Sequence, residues 1–526
     1  MTSIEVDYKA NIKCFEEDEN CYESENSEIC EFFTGKYVFI TGGTGFLGKL
    51  TIEKLLRMCP DISGIFMLVR TKKGKDIHSR IEDVFNGEVF QRLSNKQPKF
   101  RYKIIPVSGD AGLPGLGLRI EDRKVITEKV SIIIHGAATV RFDEKLHIAT
   151  NINVKGTEEV LNLAKDCKNL ISVVHVSTAF AHCPNKTIEE KFYEVPISPE
   201  KLSQICDSLP IDVLEKITPD LVGVWPNTYT FTKAIAEEVV RKHSKNLPVC
   251  VFRPAIIIST YKEPLKGWID NVYGPTGYFL GCGLGLLRTL RANRDALADI
   301  IPADMVINGI ISTAYQTALE KKSIQENDQQ EIKIYNYVSS VQQPITWGRF
   351  CDFSKSNGIE TPAMKAVWYY NLKMIPNETL YWIYAFFVHI IPAIIIDMVL
   401  FVLGKKPTML KVYKKIHKFS EVLAYFGTRK WHFSNENVQN LFENLSKEDR
   451  DLFNFDMRKL NWEEYYKTYG LGVRQYLLHE SMSTIEQARK RYFRLKIFNF
   501  SLLIVLFLVG LNLIYRIVSY AVAAIF

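Results

Sequence analysis

A glycine-rich turn set between a strand and a helix constrains this chain more than any other feature. Tyr37-Val-Phe-Ile40 is apolar enough for a buried strand, Thr41-Gly-Gly-Thr-Gly-Phe-Leu-Gly48 is the turn, and Lys49 to Met58 follows a helical apolar rhythm. Gly42, Gly45 and Gly48, with Thr41, Phe46 and Leu47 between and beside them, let the backbone lie close to a pyrophosphate. The positive end of the following helix then stabilises that charge. Glycine triplets alone carry little weight; the strand before and the helix after give this one its meaning.

The same alternation continues downstream. Further strand-like runs lie at Ile65–Val69, Tyr102–Pro106, Val130–Ile134, Ile171–Val176 and Val249–Phe252, with helical patterns at Thr150–Cys167 and Tyr229–His243. Strands separated by helices predict a mainly parallel sheet covered on both faces. The fold class expected is therefore α/β, a Rossmann-type doubly wound sheet over residues 34–360. A mainly α-helical C-terminal domain should follow over 361–488, where Trp and Tyr are dense and Gly is rare, and then a C-terminal transmembrane helix. A chain of 526 residues has room for all three.

Charge is unevenly distributed. Residues 1–33 carry ten acidic residues against Lys9 and Lys13, which predicts a self-repelling, disordered tail. The net charge of +7 thus leaves about +15 on the remainder, which suits an anionic ligand or a membrane surface. No basic cluster interleaved with aromatics points to nucleic acid. Ten cysteines without a C-x-x-C pair read as reduced thiols, and no signal peptide is expected from the acidic N-terminus. No His, Asp and Glu cluster has metal-ligand spacing, so no metal is expected.

The clearest membrane signal is at the end. Ile497 to Tyr515 runs nineteen residues without a charge, about 28 Å of helix. Arg489, Lys490, Arg491, Arg494 and Lys496 precede it and only Arg516 follows. By the positive-inside rule, this tail anchor at 497–515 keeps the rest of the chain in the cytosol. A second apolar run, Tyr381 to Leu403, contains His389, Pro392 and Asp397. A helix buried in the protein, dipping into the membrane interface or lining an apolar channel is expected there rather than a second span.

Several side chains suit redox chemistry on a carbonyl. Arg70, where an NAD-specific strand end would carry Asp or Glu, suits the 2′-phosphate of NADP, with Lys72 and Lys73 nearby. Asp110 is placed to accept from an adenine amino group. Ala137 and Ala138, after His135 and Gly136, are small enough for close approach of the dinucleotide's centre, while His135 reads as a structural hydrogen-bonder. Tyr229 and Lys233 form Y-x-x-x-K and share one helix face. The ammonium can stabilise a phenolate and hold a ribose, while the phenol protonates a carbonyl oxygen. Ser177 and Thr178 end a strand at the same sheet edge, and Thr178 is favoured as the second donor to that oxygen. Arg288, Arg291 and Arg294 read either as a solvated helix face or as partners for phosphates.

Together these residues resemble an extended short-chain dehydrogenase/reductase, and more specifically the fatty acyl-CoA reductases. The most specific parts are Thr41–Gly48, His135–Phe142, Val176–Ala181, Tyr229–Lys233 and Gly267-Trp-Ile-Asp-Asn-Val-Tyr-Gly-Pro-Thr-Gly277, continuing through Pro302-Ala-Asp-Met-Val306 and Asn308. Pro392–Asp397, Lys411–Phe419, Phe453–Asp456 and Trp462–Tyr466 extend the likeness into the C-terminal region. Phe180 departs from the family's usual Tyr and touches nothing catalytic in the pattern. The resemblance implies NADPH-dependent reduction of a long-chain acyl-CoA to a primary alcohol with release of CoA. The tail anchor suits the endoplasmic reticulum or the peroxisome, and a homo-oligomer is left open. The competing readings are a membrane-bound reductase of a sterol, ketone or aldehyde, and a cofactor-binding scaffold whose site has decayed.

Overall fold

The first element among the described residues is a short helix, α1 (Glu28–Phe33), in a computed structural model that describes residues 26–71, 76–323 and 331–525. Ile29 and Phe33 are fully buried, the Ser27 hydroxyl donates to Asp449 at 2.5 Å, and Tyr315 donates to Glu28 at 2.6 Å. Ser27 to Phe33, expected to belong to a disordered tail, are therefore ordered. Three apolar side chains in the acidic stretch, Ile29, Cys30 and Phe33, had a core to enter. The rest of that expectation, residues 1–25, lies outside the described residues.

β1 (Tyr37–Thr41) leads through the glycine turn into α2 (Phe46–Met58), then β2 (Gly64–Val69), β3 (Ile104–Ser108) and β4 (Val130–His135). A π-helical turn at Thr150–Lys155 opens α3 (Gly156–Asp166), and β5 (Ser172–Val176), α4 (Thr228–His243) and β6 (Val249–Pro254) follow. α5 (Ala303–Ser323) and β7 (Ile334–Tyr337) complete the unit. All seven strands are parallel, in the order β7-β6-β5-β4-β1-β2-β3. Register brings Thr41 beside His135, His135 beside His175 and Val176 beside Phe252, so the C-terminal ends of β1, β4, β5 and β6 share one edge. The connection order reverses between β1 and β4, and ligands of open α/β sheets bind above such a switch point. β3 starts two residues later than its apolar run implied, because Phe100–Lys103 forms a 3₁₀ turn that leaves Tyr102 86 % exposed.

The region after residue 361 is helical and packs into the same core. Tyr465, Tyr466 and Tyr469 are fully buried, Tyr465 donates to the Ser259 carbonyl at 2.8 Å, and His432–Phe433 pairs as a parallel strand with Thr187–Ile188. The helices that matter below are α6 (Glu378–Val402, with a π turn at Phe386–Ile390), α7 (Met409–Thr428) and α8 (Ile485–Ile525). α6 and α8 are each long and apolar enough to cross a membrane. α6 is not the protein-buried helix that was one expectation for Tyr381–Leu403: most of its apolar side chains are exposed.

Candidate active site

The glycine turn is built around close backbone approach. Gly42 has φ +79°, and a Cβ there would sit 2.9 Å from the Ala137 nitrogen; a Cβ on Gly48 would come within 2.2 Å of the Gly42 carbonyl. A side chain at either position would therefore push apart the β1 turn, the β4 turn or the start of α2. The N-cap of α2 is Gly45, which supplies no side-chain acceptor, so the amides of the first turn face the cleft. Thr41 Oγ1 accepts from the Ala137 amide at 3.1 Å and pairs with His135 Nδ1 at 2.7 Å. His135 Nε2 lies 3.1 Å from Thr157 Oγ1, and burial holds the ring's pKa down at about 3, assisted by the Lys233 charge. The imidazole is thus a neutral clamp between β1, β4 and α3. These features fit a dinucleotide pyrophosphate bound at the N-terminus of α2.

Arg70 stands at the end of β2 with its side chain 63 % exposed and its Nε 3.8 Å from Asp110 Oδ2. Asp110 Oδ1 accepts from the Gly112 amide at 3.0 Å. Lys72 and Lys73 lie outside the described residues. The structure adds a cation that motif reading missed: Arg80 donates to the Arg70 carbonyl and borders the same cavity. Its contact across ten residues depends on how the β2 loop folds back, which no local pattern announces.

Tyr229 opens α4, whose N-cap Asn227 accepts from the Thr230 amide at 2.9 Å. Burial pushes the phenol up to about 12, and a hydrogen bond with the Thr178 hydroxyl pulls the other way. One turn on, Lys233 donates to the Val176 carbonyl at 2.8 Å, with its pKa lowered by burial to about 8 against the attraction of Glu237. Of the two hydroxyls after β5, only Thr178 meets the tyrosine. Ser177 turns into the protein and donates to Glu237 Oε1 at 2.5 Å, so its hydroxyl is not brought to the phenol as a catalytic group would be.

Glu237 was not singled out from sequence, yet it organises the floor of the site. Besides Ser177, it is paired with Arg253, itself fully buried, at 2.6 Å and with His182 at 2.9 Å. Burial alone would raise its pKa; the Arg253 and His182 charges override that and hold it well below the carboxylate range. Its spacing, four residues beyond Lys233 on the same helix face, was the available signal. Asn153 was also missed: buried in the π turn, it accepts from the Thr139 amide at 2.9 Å and donates to Thr232 at 2.9 Å.

The glycine turn, Arg70, Arg80, Asp110, Thr178, Tyr229 and Lys233 line one cavity of about 900 Å³. It runs from the glycine turn, past Ala137, Ala138, Thr178 and Tyr229, to an apolar end formed with Tyr278, Leu290, Leu423 and Phe426. Phe142 stands between, its ring 5.7 Å from Tyr229 and 5.9 Å from Phe426. α7 therefore walls a cavity whose reactive groups belong to the sheet unit. The three arginines after the glycine-rich stretch do not form a helix face. Thr289–Leu290 is a strand, and Arg288 stacks on Trp368, Arg291 pairs with Glu378 and Arg294 pairs with Asp352. Of the three, only Arg291 borders the cavity.

Two sequence models, both described as male sterility protein, match residues 40–310 and 388–480. The fatty acyl-CoA reductase wat of Drosophila melanogaster is 44 % identical over 483 residues, covering 92 % of each chain. The human fatty acyl-CoA reductase 1 is 40 % identical, over 89 % of this chain and 90 % of its own. Among solved structures, the reductase domain of a non-ribosomal peptide synthetase from Mycobacterium tuberculosis superposes with a TM-score of 0.54 at 18 % identity, covering 86 % of this chain and 96 % of that one. The terminal reductase domain of the myxalamid pathway gives 0.52 at 19 %, over 85 % and 93 %. At such identity these structures bear on the fold alone: a Rossmann-like parallel sheet with a helical C-terminal region. Relatives of 38–44 % identity align over about nine-tenths of the molecule, and the chain belongs to the fatty acyl-CoA reductase family.

Proposed function

We propose that this protein reduces a long-chain acyl-CoA to the primary alcohol, consuming two NADPH and releasing CoA, while α8 anchors it in a membrane. The observation that carries this reading is the single cavity joining the glycine cradle, the Tyr229–Thr178 pair and an apolar end walled by α7. NADPH rather than NADH is supported by Arg70 and Arg80 at the end of β2, where the strand is followed by Arg rather than by Asp or Glu.

A reduced nicotinamide, when bound, supplies the hydride for each of two steps. As the thioester carbonyl carbon becomes tetrahedral, Tyr229 and Thr178 hydrogen-bond the developing oxyanion. Collapse of that oxyanion expels CoA thiolate and leaves the aldehyde in place. In the second reduction the phenol transfers its proton to the alkoxide. The Lys233 ammonium lowers the cost of the resulting phenolate. A phenol held near 12 keeps its proton at neutral pH yet is still acidic enough to protonate an alkoxide, and Lys233 near 8 remains charged there. Thr41, Gly42, Gly45, Phe46, Leu47 and Gly48 would hold the pyrophosphate end, Ala137 and Ala138 the centre, and Asp110 the adenine. Lys233 would also hold the nicotinamide ribose.

The test is to give the full-length protein acyl-CoAs from octanoyl to eicosanoyl with NADPH or NADH and to quantify alcohol and free thiol. Alcohol and thiol formed together, best with long chains and NADPH, support the reading. A sterol or ketone reduced without thiol release, and no acyl-CoA consumed, would replace it.

A further inference from the structure

α6 is amphipathic in the inverted sense. Tyr381, Ala385, His389, Ala393 and Asp397, spaced every four residues, are the side chains it buries, and they are small or polar. The π turn at Phe386–Ile390 inserts the residue that keeps this four-residue stripe from drifting around the helix. Its outer surface is apolar: Phe387 is 61 % exposed, Ile395 51 %, Val399 53 % and Val402 82 %.

The buried stripe is held by α7, which returns antiparallel. Trp382 stacks on His417 and His389 on Tyr413, while Asp397 caps the start of α7 by accepting from the Thr408, Met409 and Leu410 amides. α7 exposes Lys411, Lys414, Lys415 and Lys418 along its length, so it cannot cross a hydrocarbon layer. Its far end, at Leu423 and Phe426, is a wall of the active-site cavity. A helix clamped along such a partner, with Lys405 and Lys406 at the tip of the hairpin, has no route to the opposite side of a bilayer.

We infer that the α6–α7 hairpin is a one-sided membrane insert. The outer face of α6 sinks into a single leaflet, and Lys405, Lys406, Lys411, Lys414 and Lys415 meet anionic headgroups, while Lys418 is held by Asp143 of the sheet unit. Two observations point to a bilayer as the occupant rather than another protein. The exposed face is continuous aliphatic and aromatic surface bordered by lysines, which is the pattern of interfacial helices. The segment Trp368–Lys373 also touches both candidate membrane helices: Trp368 meets Phe498 and Asn499 of α8, and Lys373 lies over Tyr384 of α6. The consequence is positional. His389 accepts from the Arg288 amide at 2.9 Å, next to the strand Thr289–Leu290 whose Leu290 lines the cavity. The insert therefore holds the apolar end of the cavity against the leaflet, where an alkyl chain resides. This rests on α8 being an anchor, which flotation of the full-length protein with vesicles tests separately.

The experiment places a fluorophore on Val399→Cys or Val402→Cys in the full-length protein. The vesicles are phosphatidylcholine with or without phosphatidylserine, and the unsubstituted protein serves as background. The expected result is a blue-shifted emission, quenched by lipids brominated in the upper acyl chain and strengthened by phosphatidylserine. Lys405→Cys should react with an impermeant maleimide added on the side that carries the catalytic unit. Emission that stays aqueous, or a blue shift that no brominated lipid quenches (a second copy or another protein on the face), would overturn the inference. So would a Lys405→Cys that reacts only from the vesicle interior. Neither readout needs turnover, so failure of the proposed reaction would be seen separately. Val399→Glu with Val402→Glu should lower kcat/KM for palmitoyl-CoA delivered in vesicles several-fold and leave octanoyl-CoA in solution unchanged.

Discussion

With its pKa raised to about 12 by burial, the Tyr229 phenol keeps its proton throughout the working range and is available to give it away. Tyr229→Phe should therefore lower kcat by about a hundred- to ten-thousand-fold while cofactor affinity, read by fluorescence titration, stays within a small factor. Thr178→Val removes one donor to the oxyanion and should lower kcat by about a hundred- to a thousand-fold. Ser177→Ala behaves differently: it strips one hydrogen bond from buried Glu237, costing about 1–3 kcal/mol of stability with kcat little changed, and urea melts beside kinetics separate the two. Lys233 is charged below about pH 8 and loses its proton above it. A pH profile of kcat/KM, which reports the free enzyme, should accordingly fall as pH rises through about 8. The tyrosine and lysine were legible because their roles need a fixed spacing on one helix. Which of two adjacent hydroxyls served was not legible, because strand-end side chains alternate in direction and one residue of register decides it.

Elements set where these groups stand. The first helix of the sheet could be read from its turn, since glycine at φ +79° and the 2.2 Å approach at Gly48 leave no room for another residue. The start of β3 could not, because Tyr102 heads an apolar run that reads as strand yet sits in a 3₁₀ turn with its side chain exposed. Nor could α1, an acidic segment whose order comes from contacts with residues hundreds of positions away. Beneath α4, Glu237 neutralises Arg253 inside the core. Glu237→Ala would leave that guanidinium buried without its partner and should cost about 3–5 kcal/mol, seen as a lower urea midpoint. At the end of β2, Arg70→Glu should weaken NADPH by about ten- to a hundred-fold and NADH far less, measured by titration with each dinucleotide.

At the scale of the molecule, the sheet unit carries the reactive groups and the helical region closes the space in front of them. Sequence patterns separated the two regions by composition, but they could not show that Leu423 and Phe426 share a cavity with Tyr229, because that contact joins segments about two hundred residues apart. α8 belongs partly to this core: Ile485, Ala488 and Tyr492 are buried, and Tyr492 accepts from the Tyr370 amide at 2.9 Å. A chain ending at Lys496 should thus stay folded by circular dichroism and float with vesicles far less than the full chain, whereas one ending at Glu480 should be destabilised. The central claim, two successive reductions of one thioester in one cavity, is tested most directly by stoichiometry. Full-length protein turning over palmitoyl-CoA is assayed for NADPH consumed, thiol released and alcohol formed, with a hydrazine present to trap free aldehyde. The account predicts two NADPH and one alcohol for every thiol, with no trapped aldehyde; one NADPH per thiol with aldehyde captured, or NADPH oxidised without thiol, would contradict it.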